Sequence, residues 1–277
     1  GGLRLEDALM FAQNEAAGSG VVLYVPSGKH TIRAPMVFDE RTAASEVQII
    51  YTGNGSASLA LEDGGGEGGD GKGGGDGKGG GGDGSGEALL TIRKGAGSVT
   101  LSGLDVVGAM RVEGGTLRMT GCSLAPATAG GRAGDGNQPG DGVGEDPAGG
   151  GDLGADSASA NGGGQQSPPS EGRRRLASAA TRALYIDGGT VDLQATSIAG
   201  FAAGAVSLSN GGTLSLANCT IVENGADDVG GGALVATNGS SAHIADTLFE
   251  NNRASSGGAL LVDGARVLLS NKTVLLS

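Results

Sequence analysis

Six segments of the chain share one order of positions: apolar, any, apolar, any, a small residue or Asn/Asp, two more residues, then apolar. They read VTLSGLDV from Val99, LRMTGCSL from Leu117, VDLQATSI from Val191, LSLANCTI from Leu214, AHIADTLF from Ala242 and VLLSNKTV from Val267. The first two apolar positions are two apart, which puts both on one face of a strand. The fifth position is Gly103, Gly121, Ala195, Asn218, Asp246 or Asn271. A turn is expected there, because most of these residues tolerate left-handed or bent backbone. The closing apolar residue then points back inward. A second short apolar run precedes each copy: ALLTI, AMRV, ALYI, AVSL, GALVA and ALLV, usually followed by Gly. Together these elements predict a coil of two or three short strands.

A fixed pattern recurring every 20–50 residues marks a stacked repeat. One interval is longer, and removing about 52 residues of low complexity from it restores the typical period. Short alternating strands with Gly corners predict an all-β fold, a right-handed parallel β-helix. Rungs about 4.8 Å apart would align Leu101, Met119, Leu193, Leu216, Ile244 and Leu269 as a core ladder. At the N-terminus, Leu5, Leu9, Ala12 and Ala16 are spaced as on a helix that Gly18 can end. A short capping helix over the first rung is expected there, since it would block a sheet end that otherwise pairs with other chains. A strand, a Pro-Ser-Gly turn and a second strand follow it, as VVLYVPSGKHTI.

Composition changes this picture in two places. Of 277 residues 59 are Gly, about threefold ordinary usage. Much of the excess falls in residues 62–87 and 125–175, which lack the apolar surface to offset the entropy of ordering. Both are expected to be disordered insertions between rungs, which a solenoid tolerates. About 200 residues then remain for seven to nine coils in a single β-helix domain over residues 1–277. The two cysteines, Cys122 and Cys219, hold equivalent positions two rungs apart, about 9.6 Å by rung spacing. That exceeds the roughly 7 Å a disulfide spans, so two free thiols are expected.

The net charge is −12, which argues against a nucleic-acid partner. No apolar stretch reaches the length of a membrane-spanning helix. The basic run Arg173-Arg174-Arg175 reads as counter-charge within an acidic insert. The chain begins at Gly1 rather than Met and ends inside the sixth copy, so a fragment of a longer protein is expected.

Residues 231–260 contain Gly-Gly-Ala-Leu twice, at Gly231 to Leu234 and Gly257 to Leu260, with Phe249-Glu-Asn-Asn252 between. These motifs resemble the GGA(I/L/V) and FxxN repeats of chlamydial polymorphic outer-membrane proteins. The N-terminal helix and VVLYVPSGKHTI resemble the cap of the pectin-lyase-like superfamily. The first resemblance implies a secreted or surface-displayed β-helix, often adhesive. The second implies a fold that also hosts polysaccharide hydrolases and lyases.

The hydrolases of that superfamily carry Asn-Thr-Asp, Asp-Asp, Gly-His-Gly and Arg-Ile-Lys on adjacent rungs, and only Asp227-Asp228 matches here. Two carboxylates on neighbouring rungs would serve as acid and base. A lyase would need acidic calcium ligands, for which Glu223, Asp227, Asp228 and Asp246 are the candidates, with Arg253 as base or clamp. Ordinary acidic corners are the plainer reading of all of them. His30 and His243 match no closed metal-site spacing, and His243 is expected to face solvent. The Gly-Asp insert lacks the apolar residue a folded calcium roll requires. No metal or other cofactor is therefore expected, with Ca2+ the one alternative.

Four sequons are present, at Asn54, Asn218, Asn238 and Asn271, and they matter on a eukaryotic secretory route. Asn54 and Asn238, in Gly-Ser turns, are the better glycan acceptors. For Asn218 and Asn271 an internal asparagine ladder at the corner is the stronger reading. The function expected is a non-catalytic extracellular or cell-surface scaffold, adhesin-like, presenting loops to a polysaccharide or a protein. A polysaccharide-degrading enzyme and a purely structural spacer are the alternatives.

Overall fold

The computed structural model describes residues 5, 7–8, 20–40, 46–61, 88–127 and 181–276. The chain divides into two compact units, residues 1–128 with 178–277 and residues 129–177. The second unit lies outside the described residues. So do most of the expected capping helix and nearly all of both expected insertions, residues 62–87 and 125–175. Ala125 itself closes a strand, Ser123–Ala125, so the second insertion begins later than the sequence implied.

The first unit is a right-handed parallel β-helix of three sheets, here A, B and C. Coil 1 is Val21–Tyr24, Gly28–Ile32 and Met36–Phe38; coil 2 is Glu46–Ile50, Ala57–Leu61 and Leu90–Ile92. Coil 3 is Ser98–Ser102, Asp105–Val107 and Met110–Val112; coil 4 is Thr116–Thr120, Ser123–Ala125 and Leu184–Asp187. Coil 5 is Thr190–Gln194, Ser197–Ala199 and Val206–Ser209; coil 6 is Thr213–Ala217, Thr220–Val222 and Leu234–Thr237. Coil 7 is Ser241–Ala245, Leu248–Glu250 and Leu260–Asp263, and coil 8 is Arg266–Ser270 and Val274–Leu276. Each coil gives one strand to each sheet in turn, and every neighbouring pair runs parallel.

The core register matches the expected ladder. Leu101, Met119, Leu193, Leu216, Ile244 and Leu269 are consecutive partners in sheet A, and Leu23 and Ile49 extend the column into coils 1 and 2. The runs that precede each copy form sheet C, from Leu90–Ile92 to Leu260–Asp263. Coils 1 and 2 do not show the written pattern because their A-to-B corners are longer, residues 25–27 and 51–56. One register differs from expectation. Phe249 pairs with Leu275, not Val274, because the last A-to-B corner holds one extra residue around Thr273. Thr273 Oγ1 donates there to Ser270 O at 2.8 Å.

The residue at the A-to-B corner takes positive φ in all six copies: Gly103 70°, Gly121 62°, Ala195 49°, Asn218 54°, Asp246 49° and Asn271 54°. The next inward position is Cys122, Thr196, Cys219 or Thr247 in coils 4 to 7, all buried. Each donates to the carbonyl two residues back, at Thr120, Gln194, Ala217 and Ala245. The two thiols are free, as expected. Burial pushes both thiols to higher pKa, partly offset by backbone hydrogen bonds.

Candidate functional site

The three corners of a coil differ sharply in freedom. From coil 3 to coil 7 the A-to-B corner has two residues, and the C-to-A corner has two to five. The B-to-C corner carries everything irregular: both long insertions, and in coils 6 and 7 the extra strands Gly225–Gly230 and Arg253–Ser256. These two strands pair with each other, Gly225 opposite Arg253, with a shift in register between Ala226 and Gly230.

Under this corner lies an asparagine pair. Asn224 is fully buried and Asn252 nearly so. Asn224 Nδ2 donates to Ile198 O at 3.1 Å, Val222 O at 2.8 Å and Asn252 Oδ1 at 3.1 Å. Its Oδ1 accepts from Phe201 N at 3.1 Å, and Asn252 Nδ2 donates to Ile221 O at 2.7 Å. The internal ladder therefore exists, but Asn218 and Asn271 are not in it. Both sit exposed at the A-to-B corner, where Asn271 donates to Asp246 at 3.1 Å. The signal was the spacing Ile221-x-x-Asn224 and Phe249-x-x-Asn252, which puts an amide just past the third core ladder. In coil 5 the same step brings the buried Phe201.

Glycine is required where the extra strands close. A Cβ on Gly225 would collide with Arg253 O, and one on Gly232 with Gly258 O. Arg182 holds this turn from two coils away: its Nη1 donates to Gly231 O at 3.1 Å and its Nη2 to Gly230 O at 2.6 Å. Burial lowers its pKa from the usual value, and Tyr185 opposes that shift. Nothing in the sequence marked Arg182, because its partners are backbone atoms 48 and 49 positions away.

Asp227 and Arg253 come together. With Asn251, Asn252, Ala254 and Gly258 they line an open depression of about 320 Å³. Glu223, Gly225, Asn251 and Arg253 line an adjoining one of about 450 Å³. Of Asp228 only the backbone is described. Asp246 lies at the A-to-B corner instead, where Asn271 Nδ2 and Lys272 N donate to it. Glu223, Asp227 and Asp246 thus do not form one acidic set. His30 and His243 belong to coils 1 and 7; His243 is exposed, as expected, and its Nε2 lies 3.2 Å from Ser270 Oγ. Asn54 and Asn238 are both exposed.

A larger groove, about 700 Å³, was not anticipated. It runs along the C-to-A corner and is lined by Asp39, Glu40, Arg93, Lys94, Gly95 and Glu113. Three successive coils each bring charge to it, because each corner places polar residues at the same step of the stack. Glu113 also lies 3.6 Å from Arg111, whose guanidinium sits over Tyr185 at 5.5 Å. The spacing of these charges in sequence gave no motif. Among the described residues no group of three or more His, Cys, Asp or Glu side chains is arranged to hold a metal ion.

The fold defines the class, a parallel β-helical solenoid. Comparison with protein-family models, with curated proteins and with solved structures gives no significant match.

Proposed function

We propose that this chain is a non-catalytic extracellular or cell-surface scaffold, adhesin-like, that presents a flat sheet face and its corner loops to a polysaccharide. One observation carries the reading. The outward columns of sheet A are polar and in register over five coils. One holds Ser98, Thr116, Thr190, Thr213 and Ser241, the next Thr100, Arg118, Asp192, Ser215 and His243. Parallel sheets are ordinarily covered on both faces, yet Thr190, Thr213, Ser241, Arg118, Asp192 and His243 are exposed. Hydroxyls repeating at about 4.8 Å suit a ligand that is itself periodic and rich in hydroxyls. Such binding sums many weak contacts and grows with ligand length. A glycan array on the intact chain tests this. Binding that strengthens with glycan length supports the proposal, and no binding to any glycan defeats it.

The second reading is a polysaccharide-degrading enzyme, and the 700 Å³ groove favours it over the Asp227–Arg253 depression. Acids and cations from three coils face one space there, the arrangement acid–base work needs. Release of unsaturated or reducing ends from polygalacturonate would establish that reading in place of the first.

A further inference from the structure

Coil 8 is where the core pattern meets solvent. Its core positions Leu269 and Leu275 are 41% and 45% exposed, whereas their coil 7 partners Ile244 and Phe249 are fully buried. Leu268 is 52% exposed, and Val262, Val274 and Leu276 are exposed beside it. Leu260–Asp263, Arg266–Ser270 and Val274–Leu276 are each the last strand of their sheet, so three strand edges lie open on one end. Such edges are templates for pairing. Ahead of coil 1, by contrast, Leu5 packs against the core.

The sequence of this end is nearly its own mirror image about Leu268. Val267 mirrors Leu269, Val262 mirrors Val274, Leu261 mirrors Leu275 and Leu260 mirrors Leu276. Asp263 falls one place from the mirror position of Lys272, so the opposite charges also match. A two-fold axis through Leu268, perpendicular to the stack, reverses strand direction. It lays Arg266–Ser270 antiparallel on its own copy, and the sheet B edge on the sheet C edge of the other copy. Isologous contacts require this kind of self-complementarity. We propose that the open end of coil 8 is a tail-to-tail homodimer interface, in which two copies join their three sheets edge to edge about Leu268.

Sedimentation of the 277-residue chain over a wide concentration range tests this, with a closed dimer expected. Leu268→Lys brings two ammonium groups face to face on the axis and should weaken the dimer about a hundredfold, with an unchanged circular dichroism spectrum. Leu268→Cys should form an intermolecular disulfide on mild oxidation, since directly opposed antiparallel residues lie about 4.5–5.5 Å apart, within disulfide reach. Arg266→Cys, which mirrors Ser270, should not. A chain monomeric at every concentration would overturn the proposal and leave a further coil of chain as the cover. Open-ended polymers, or equal crosslinking by the two cysteine variants, would also overturn it.

Discussion

Gly103 and Gly121 hold the same corner with similar backbone, yet a side chain would meet different surroundings at each. A Cβ on Gly121 finds nothing within 4 Å, whereas one on Gly103 would press on Tyr51 O. Gly121→Ala should therefore cost only the left-handed conformation, about 1 kcal/mol, and Gly103→Ala clearly more; chemical denaturation measures both. The buried amides are more sensitive. Asn224→Leu leaves the Phe201 N–H without its acceptor and removes four further bonds, so a loss of about 1–3 kcal/mol or more is expected. The thiols predict a pH dependence. Their pKa is raised in the folded state by burial, so folding disfavours the thiolate. Their contribution is full below the unfolded thiol pKa, about 8.5, and declines as pH rises through the folded value. Cys122→Thr with Cys219→Thr, which copies Thr196 and Thr247 of the same ladder, should remove that part of the alkaline loss in denaturation curves run across pH.

At the scale of elements, freedom is concentrated at one corner of the coil. The A-to-B corner is fixed by a left-handed residue and an inward Cys or Thr, and the C-to-A corner stays short. Length is free only at B-to-C, so shortening the segment between Pro126 and Arg182 to a brief linker should leave coil 4 paired through Leu184 and Met110. Loop length costs little, and circular dichroism and melting temperature should stay close to those of the parent. Arg182→Ala should instead raise hydrogen exchange at residues 225–231, because the two carbonyls it holds lose their partner. The strands and their register were legible because a period of two and a corner residue recur at fixed offsets. The core ladder from Leu101 to Leu269 and the free thiols could be read from that alone. The asparagine pair was half legible: FxxN pointed to Asn252, but the same step in IVEN at Asn224 was passed over for the corner asparagines. The charged groove was not legible at all. Asp39, Glu40, Arg93, Lys94 and Glu113 are distant in sequence and meet only because coils stack. Coils 1 and 2 escaped because longer corners hid their pattern.

At the scale of the molecule, a dry aliphatic core carries polar columns outward, and recognition falls to faces and corners. If the sheet A face is the binding surface, Thr190→Arg with Thr213→Arg should abolish glycan retention while melting stays unchanged, since both side chains point to solvent. If the groove works catalytically, Glu113→Gln should act instead on turnover. The most direct measurement puts these side by side. The parent chain, the double threonine variant and Glu113→Gln are incubated with polysaccharides that include polygalacturonate, and both retained chain and released sugar ends are read. Retention by the parent and by Glu113→Gln, its loss in the threonine variant, and no released ends in any sample is the predicted result. Released ends from the parent that disappear in Glu113→Gln would contradict the scaffold reading.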